Sequence, residues 1–130
     1  MSTSPLINLT IVVVEDHDDQ RRYLSIFLNG LGANVVAATN GFEGLDAIKN
    51  NHPDMVLSDI AMPGMDGFQL LREIRALRAQ CAGSVPVVAM SAFFTHADRE
   101  HVLDAGFKAC LPKPFTPDKL VETILTALND

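Results

Sequence analysis

Five side chains suited to phosphoryl chemistry stand at or just after the ends of apolar runs in this sequence. Glu15 and Asp16 directly follow the first run, and Asp59 follows the third. Ser91 closes the fourth run, and Lys113 comes shortly after the fifth. Like charges at close range repel, and a hard divalent cation with oxygen ligands relieves that repulsion. A carboxylate held beside such a cation and an ammonium group can act as the nucleophile in phosphoryl transfer, which gives an aspartyl phosphate.

The apolar runs are short and rich in β-branched residues, as in strands buried on both faces of a parallel sheet. They occupy residues 9–14, 33–38, 55–58, 86–91 and 109–111. A segment with apolar residues at helical spacing follows each run. This alternation predicts an α/β domain with helices on both faces of a parallel sheet. Ligands of such sheets bind outside the carboxyl ends of the strands, where the charged side chains are expected to meet.

Each predicted helix begins at a side chain that can cap its free N–H groups. The expected caps are Asp18 or Asp19 for the first helix, Asn40 with Glu43 for the second, Asp66 for the third, Thr95 with Asp98 for the fourth, and Thr116 before Pro117 for the fifth. In the first helix, Arg21 and Arg22 are expected to form a charged face exposed to solvent.

Composition limits the class of protein. With 130 residues, 48% of them hydrophobic, the chain suits one domain, and we expect a tail at 1–8 and a domain at 9–130. The formal net charge of −6 disfavours direct nucleic-acid binding. No apolar run approaches the roughly 20 residues of a membrane span, and the first residues do not resemble a secretion signal. Two cysteines, Cys81 and Cys110, are too few for a disulfide framework, so a cytoplasmic protein without membrane contact is expected.

The four histidines do not have the spacing of a zinc site. His96 and His101 are five residues apart, whereas two ligands on one helix face are four apart. His17 lies next to the acidic pair, and we interpret it as a solvent-facing residue. The histidines therefore predict no metal site of their own.

Four sequence segments resemble the receiver domain of two-component response regulators, the family that includes chemotaxis regulators. They are "VVVED", "LSDIAMPGMDG", "VVAMSA" and "LPKPF", and they occur in the order and at the spacing of that family. The resemblance implies a doubly wound, five-stranded parallel sheet of order 2-1-3-4-5 with five helices, a flavodoxin-like three-layer sandwich. Further stretches are similar to receivers joined to hybrid histidine kinases, so the chain is either a stand-alone regulator or part of a longer protein.

The resemblance implies a magnesium site made of four residues. Asp16 matches the direct ligand, and Glu15 matches an acidic residue that acts through a water molecule. Asp59 matches the phosphoacceptor, which also binds the metal. The backbone carbonyl of Ala61 matches the third protein ligand. Mg²⁺ is thus the expected cofactor.

The resemblance also implies how the phosphoryl group is held. Ser91 matches the switch hydroxyl that turns toward the phosphoryl group on Asp59. Lys113 matches the lysine that contacts it, and the Lys113–Pro114 peptide bond is expected to be cis.

One position departs from the family pattern. Cys110 occupies the place where the family usually has an aromatic ring that swings inward on activation, and a thiol cannot supply that ring. We hypothesise that Phe93 and Phe94, just after the switch serine, carry part of the signal instead.

The function that the resemblance implies is a phosphorylation-activated switch rather than an enzyme acting on other molecules. A sensor histidine kinase or phosphotransfer protein donates the phosphoryl group. A downstream protein or fused output domain then reads the surface of the fourth helix, fifth strand and fifth helix, through which relatives also form homodimers. Two alternatives stay open: a pseudo-receiver that binds partners without phosphorylation, and a phosphatase with an aspartate nucleophile. The phosphatase usually has a second acid two residues after the nucleophile, where this sequence has Ala61.

Overall fold

Strands and helices alternate along the residues that the computed structural model describes, which are 5–78, 83–92 and 95–129. The strands are β1 (Thr10–Val14), β2 (Asn34–Ala38), β3 (Met55–Asp59), β4 (Val87–Ser91) and β5 (Ala109–Pro112). The helices are α1 (Asp18–Gly30), α2 (Gly41–Asn51), α3 (Gly67–Arg75), α4 (His96–Ala105) and α5 (Pro117–Leu128). The predicted five-fold alternation is therefore confirmed.

All neighbouring strands run parallel, in the order β2-β1-β3-β4-β5. This confirms the sheet order that the family resemblance implied. The four C-terminal residues of β1 and the whole of β3 are buried. Strands covered by helices on both faces have this pattern, which explains their nearly continuous apolar sequence.

Alternate residues of each strand enter opposite cores, because successive side chains of a strand point to opposite faces. Val12 and Val56 pack on one face with the buried residues of α2, α3 and α4. Ile11 and Leu57 pack on the other face with α1 and α5. The helices therefore cover both faces, and the carboxyl edge of the sheet stays open between the layers.

Four of the five predicted helix caps are confirmed. Each of these side chains accepts a hydrogen bond from the backbone N–H three residues later; they are Asn40, Asp66, Thr95 and Thr116. For α3 and α4 the bond is reciprocal, which completes a capping box. Glu43 instead accepts bonds from the N–H and the hydroxyl of Thr39.

The predicted cap of α1 is wrong. The N-cap is His17, and Asp18 and Asp19 lie in the first helical turn. The carboxylate of Asp18 is instead paired with Arg21, whose Nη2 lies 2.6 Å from Asp18 Oδ1. The backbone N–H of His17 donates to Glu15 Oε2 at 3.2 Å. This bond holds the chain directly after β1, so the N-cap of α1 lies at least one residue earlier than predicted.

Residues just before β1 also contact the domain. Leu6 is fully buried among the residues between the sheet and helices α1 and α5. The N–H of Asn8 donates to the carbonyl of Gly32 at 2.9 Å. The boundary expected at residue 9 stays a prediction, and Leu6 lies on the tail side of it. Among the described residues, no helix has the length and apolar character needed to span a bilayer.

Candidate functional site

The register of β1 and β3 brings the carboxylates of Glu15 and Asp59 together. Val14 pairs with Ser58 across the two strands. Glu15 and Asp59 are the next residues, and their side chains lie at the carboxyl edge of the sheet. Both are almost completely buried, with 0% and 5% of their surface exposed. Asp16, in the short connection between β1 and α1, lies beside them.

Strands β4 and β5 bring the hydroxyl and the ammonium group to the same edge. Ser91 pairs with Pro112, and the N–H of Lys113 donates to the Ser91 carbonyl at 2.7 Å. The Lys113–Pro114 bond is cis, as the resemblance implied. All five residues singled out at strand ends thus meet at one place, although Glu15 and Lys113 are 98 positions apart.

Lys113 forms the central ion pairs of the site. Its Nζ lies 2.6 Å from Glu15 Oε1 and 3.3 Å from Asp59 Oδ2. Burial works against the charge of Lys113, but its bonds and attraction to the two carboxylates outweigh that effect and raise its pKa. The ammonium group therefore stays charged and offsets part of the negative charge around it.

The two buried carboxylates titrate in opposite directions. Burial and the nearby charge of Glu15 raise the pKa of Asp59 to about 6, against a partial opposing effect of Lys113. Burial also disfavours the charge on Glu15, but the hydrogen bond and charge of Lys113 lower its pKa below 4.5. Glu15 therefore stays ionised and compensates the charge of Lys113. Asp59 is the carboxylate whose ionisation the site disfavours.

Asp16 leaves one strong acceptor atom unused. Its Oδ1 is buried and has no hydrogen-bond partner among the described residues. One donor atom each from Glu15, Asp16, His17 and Asp59 lies within 4.8 Å of all the others. A buried, unpaired carboxylate oxygen costs free energy, and a divalent cation would supply the missing partner. The acidic cluster therefore fits a cation with oxygen ligands.

A cavity of about 440 Å³ opens over these groups. Its walls include Asp59, Ala61, Ser91 and Lys113, together with residues of the first turn of α1. The cavity joins a carboxylate, a hydroxyl and an ammonium group, and a hydroxyl and an ammonium group can hold and neutralise the oxygens of a phosphoryl group.

Gly67 fixes the loop that follows Asp59. Its N–H donates to the Ile60 carbonyl at 2.8 Å. A Cβ at this position would stand 2.7 Å from the Asp59 carbonyl oxygen and 2.8 Å from Ile60 Cα. The start of α3 therefore packs directly on the end of β3, and only glycine permits that approach without a shift of the backbone.

The prediction that Arg21 faces solvent is wrong. Its side chain is 19% exposed, and Nη1 donates to the Glu15 carbonyl at 2.9 Å. The guanidinium thus ties α1 to the end of β1 behind the acidic pair. Arg22, its neighbour, is exposed as expected. The sequence offered one signal, since Arg21 lies three residues after Asp18, the spacing of a helical ion pair.

His17 lies closer to the carboxylates than the sequence suggested. Its side chain is 73% exposed, which agrees with a solvent-facing residue. Its Nδ1 nevertheless lies 3.4 Å from both Glu15 Oε2 and Asp16 Oδ1. Spacing rules for metal-binding histidines miss this arrangement because the partner ligands are carboxylates at strand ends.

Cys110 is buried within the core on the α4 side of the sheet. Burial raises the pKa of its thiol, so the group is a small apolar side chain and not a reactive thiolate. The hypothesis for Phe93 and Phe94 falls outside the described residues, as does any statement on Cys81.

Comparisons with known proteins agree with this geometry. The family model "Response regulator receiver domain" matches residues 11–125. The chain is 36% identical over 117 residues to the sensor histidine kinase RcsC of Escherichia coli K12, which covers 90% of this chain and 12% of the kinase. The chain therefore spans about an eighth of the length of this relative.

Solved structures with the same fold include a chemotaxis protein and a receiver domain. The chemotaxis protein CheY4 of Vibrio cholerae superposes with a TM-score of 0.85 and 25% identity, covering 93% of this chain and 99% of CheY4. The receiver domain of the sensor histidine kinase PA1611 of Pseudomonas aeruginosa gives a TM-score of 0.83 and 28% identity, covering 95% of this chain and 99% of that domain. That structure contains a magnesium ion coordinated in the active-site cleft.

Proposed function

The chain belongs to the response regulator receiver family, a family of signalling domains in two-component systems, and we propose that it is a switch controlled by phosphorylation of Asp59. The observation that carries the proposal is the position of this carboxylate. Asp59 ends β3 at the floor of the cavity, with Lys113 Nζ at 3.3 Å. The residue is thus a nucleophile beside a cation that stabilises charge on an arriving phosphoryl group.

Asp16, Asp59 and the backbone carbonyl of Ala61 would hold Mg²⁺. The unpartnered Oδ1 of Asp16 supports this assignment, and the donor set consists of the hard oxygen ligands that Mg²⁺ prefers. Glu15 is engaged with Lys113 at 2.6 Å, which supports an indirect role through water. When bound, Mg²⁺ supplies positive charge that neutralises the oxygens of the transferring phosphoryl group.

The proposed transfer uses the ionised form of Asp59. An oxygen of its carboxylate forms a bond to phosphorus while the phosphorus–nitrogen bond of a donor phosphohistidine breaks. The electron pair of that bond stays on the donor imidazole. Because the pKa of Asp59 is raised only to about 6, the carboxylate is mainly ionised at neutral pH. Lys113 and the hydroxyl of Ser91 then hold the phosphoryl oxygens.

We propose that the output surface consists of α4, β5 and α5. Ser91 ends β4, so a change at its hydroxyl acts on the connection to α4. Val102 is the only buried residue of α4, whereas α5 buries four. A helix with so small a buried face moves at low cost, which suits it to change position when the site is phosphorylated.

Partners and location belong to the same proposal. Receivers of hybrid kinases act with a histidine kinase or a phosphotransfer protein, and a protein of that kind is the donor proposed for Asp59. The proposed reader is a downstream protein or a fused output domain, with homodimers formed through the same surface. A cytoplasmic location agrees with these partners.

The pseudo-receiver and the phosphatase are the competing functions. A pseudo-receiver has no need for the acceptor, the lysine and the acidic pair together, and all of them are in place here. The phosphatase lacks its usual second acid, because Ala61 occupies the position two residues after Asp59.

Intact-mass spectrometry after incubation with acetyl phosphate and Mg²⁺ tests the proposal. We expect one added phosphoryl group in the wild type and none in Asp59→Asn or in a sample treated with chelator. Addition to Asp59→Asn would place the acceptor elsewhere. No addition, together with no binding of beryllofluoride in the presence of Mg²⁺, would favour the pseudo-receiver. Continuous release of phosphate from a phosphomonoester would favour the phosphatase.

A further inference from the structure

His17 is held beside the acidic cluster by the backbone. It is the N-cap of α1, with φ −82° and ψ 119°, and its N–H donates to Glu15 Oε2 at 3.2 Å. The start of the helix and the end of β1 therefore fix the Cα of His17. A side chain with only two rotatable bonds keeps its Nδ1 near that fixed point.

Neither capping nor packing accounts for this imidazole. The side chain makes no capping hydrogen bond, and histidine is not among the preferred N-cap residues. With 73% of the side chain exposed, the ring contributes little apolar burial. The feature that remains is its nitrogen, which lies 3.4 Å from a carboxylate oxygen of Glu15 and from one of Asp16.

The carboxylate oxygen nearest this nitrogen on Asp16 is also the unpartnered one. Asp16 Oδ1 is buried without a hydrogen-bond partner among the described residues. One cation placed to satisfy this oxygen also lies within reach of Nδ1, because the donor atoms of Glu15, Asp16, His17 and Asp59 are mutually within 4.8 Å. Without a cation, Nδ1 donates a hydrogen bond to Glu15 Oε2 at 3.4 Å, because a carboxylate oxygen can only accept. Cation binding replaces this bond: Nδ1 gives up its proton, and the ring with its proton on Nε2 offers the Nδ1 lone pair to the cation.

A nitrogen donor changes which cations a carboxylate site prefers. Mg²⁺ is bound by oxygen ligands, while imidazole favours ions such as Zn²⁺, Ni²⁺ and Cu²⁺. We propose that His17 is a cation ligand of the acidic site and that it makes the site selective for zinc-like divalent ions relative to Mg²⁺. This inference rests on the proposed metal site, and it adds a donor and a cation class to it.

The other histidines provide internal controls. His96 lies on α4, where its Nε2 is 3.2 Å from Glu100 Oε1, a single exposed carboxylate. His52 is the C-cap of α2 in a left-handed conformation. Among the described residues, His17 is the only histidine grouped with several carboxylates that could share a cation.

The test uses Zn²⁺ as the probe, on a ¹⁵N-labelled chain without a polyhistidine tag. Long-range ¹H–¹⁵N spectra report separately on each nitrogen of each histidine. We expect one equivalent of Zn²⁺ to shift the Nδ1 resonance of His17 while those of His52, His96 and His101 stay in place. Excess Mg²⁺ should reverse the shift, and Asp16→Asn should abolish it.

Calorimetry supplies the second readout. We expect His17→Ala to raise the Kd for Zn²⁺ about ten-fold and to change the Kd for Mg²⁺ by no more than about two-fold. His96→Ala should leave both constants unchanged. Retained Mg²⁺ binding by His17→Ala also shows that the variant is folded.

Each failure has a distinct meaning. If Zn²⁺ competes with Mg²⁺ and needs Asp16 but leaves the His17 nitrogen and the His17→Ala affinity unchanged, the inference is overturned and the proposed metal site stands. If the His17 shift persists in Asp16→Asn, the histidine binds zinc apart from the acidic site, which also overturns the inference. If neither ion binds at the acidic cluster, the metal site of the proposed function fails together with the inference.

Discussion

Asp59 carries a carboxylate whose ionisation the folded protein disfavours. Its pKa is raised from 3.8 to about 6 by burial and by the charge of Glu15. The folded protein thus holds this proton more tightly than the unfolded chain does. As pH rises through that window, the contribution of Asp59 to stability is progressively lost. This loss is the opposite of what a carboxylate with a lowered pKa would produce.

Asp59→Asn should therefore stabilise the cation-free protein at neutral pH, by on the order of 2 kcal/mol. Denaturant unfolding in the presence of chelator measures the difference in free energy of unfolding between variant and wild type. That difference should grow as pH rises from 3.8 to about 6 and then level off. The exposed Asp104→Asn is the control, with little effect at any pH. Parallel pH profiles for Asp59→Asn and wild type would contradict the prediction.

Lys113 compensates the completely buried carboxylate of Glu15. Their atoms are 2.6 Å apart, and the side chain of Glu15 has no exposed surface. Lys113→Met leaves the buried carboxylate of Glu15 without the ammonium group that compensates its charge, so we expect a loss of roughly 2–4 kcal/mol in the free energy of unfolding. The double variant Glu15→Gln/Lys113→Met should recover most of that loss. Denaturant titration of the single and double variants at neutral pH gives the interaction free energy between Glu15 and Lys113.

Lys119→Met is the matched control for this pair. Lys119 Nζ lies 3.5 Å from Glu122 Oε1, and both side chains are more than half exposed. Exposed pairs contribute about 0–1 kcal/mol, so this variant should be close to wild type in stability. Equal losses in the two lysine variants would mean that burial of Glu15 is not the source of the effect.

The placement of these residues at the carboxyl edge of the sheet was predictable because each one lies at or shortly after the end of an apolar run. The distances between these side chains could not be predicted, because Glu15 and Lys113 come together only through the order of the strands in the sheet. The partial burial of Arg21 was missed for a related reason. Its partner is the backbone carbonyl of Glu15, six residues earlier. Every residue has a backbone carbonyl, so a pattern of residue types cannot show which one an arginine will contact.

At the scale of elements, local chemistry predicted the helix starts well. The capping boxes of α3 and α4 need only a side chain and its partner three residues later, and both lie within one short segment. The prediction for the start of α1 was wrong because the N-cap is set by a contact with the end of β1, the hydrogen bond from the His17 N–H to Glu15. Strand β3 includes Asp59, which directly follows the third apolar run, because Asp59 still pairs with Met90 of β4.

The contact between β3 and α3 depends on one glycine, and this gives a prediction. Gly67→Ala places a methyl group within 2.8 Å of two backbone atoms at the strand end. Since these atoms belong to Asp59 and Ile60, relief requires a shift of the segment that carries the acceptor. We expect a loss of about 1–3 kcal/mol in the free energy of unfolding and slower phosphorylation by acetyl phosphate.

Gly30→Ala is the control for a glycine in a helix. A Cβ there meets nothing within 4 Å, and Gly30 ends α1 far from the cavity. Alanine at a helical position lowers the conformational entropy of the unfolded chain, so stability should rise by about 0.4–1 kcal/mol. If both variants lose stability equally, close packing of Gly67 on β3 is not the cause.

At the scale of the whole molecule, the class of fold was predictable from the sequence and the strand order was not. Each run indicates a strand by itself, but a pattern within a run carries no information about which strands lie next to it. The order 2-1-3-4-5 came from the family resemblance. The contribution of residues before β1 was also missed, because a single apolar residue such as Leu6 has no period to detect.

Leu6 gives the prediction for the whole domain. Although it precedes the family match, which begins at residue 11, it is 0% exposed and packs with the core that α1 and α5 cover. Leu6→Ala removes buried methyl groups from a packed site, so we expect a loss of about 2–4 kcal/mol in the free energy of unfolding. Ile7 is 48% exposed, and Ile7→Ala should cost less than about 1 kcal/mol. Denaturant unfolding of both variants tests this difference between adjacent residues. Similar small losses would place the edge of the cooperative domain at β1, whereas a large loss for Leu6→Ala alone would extend the folded unit to residue 6.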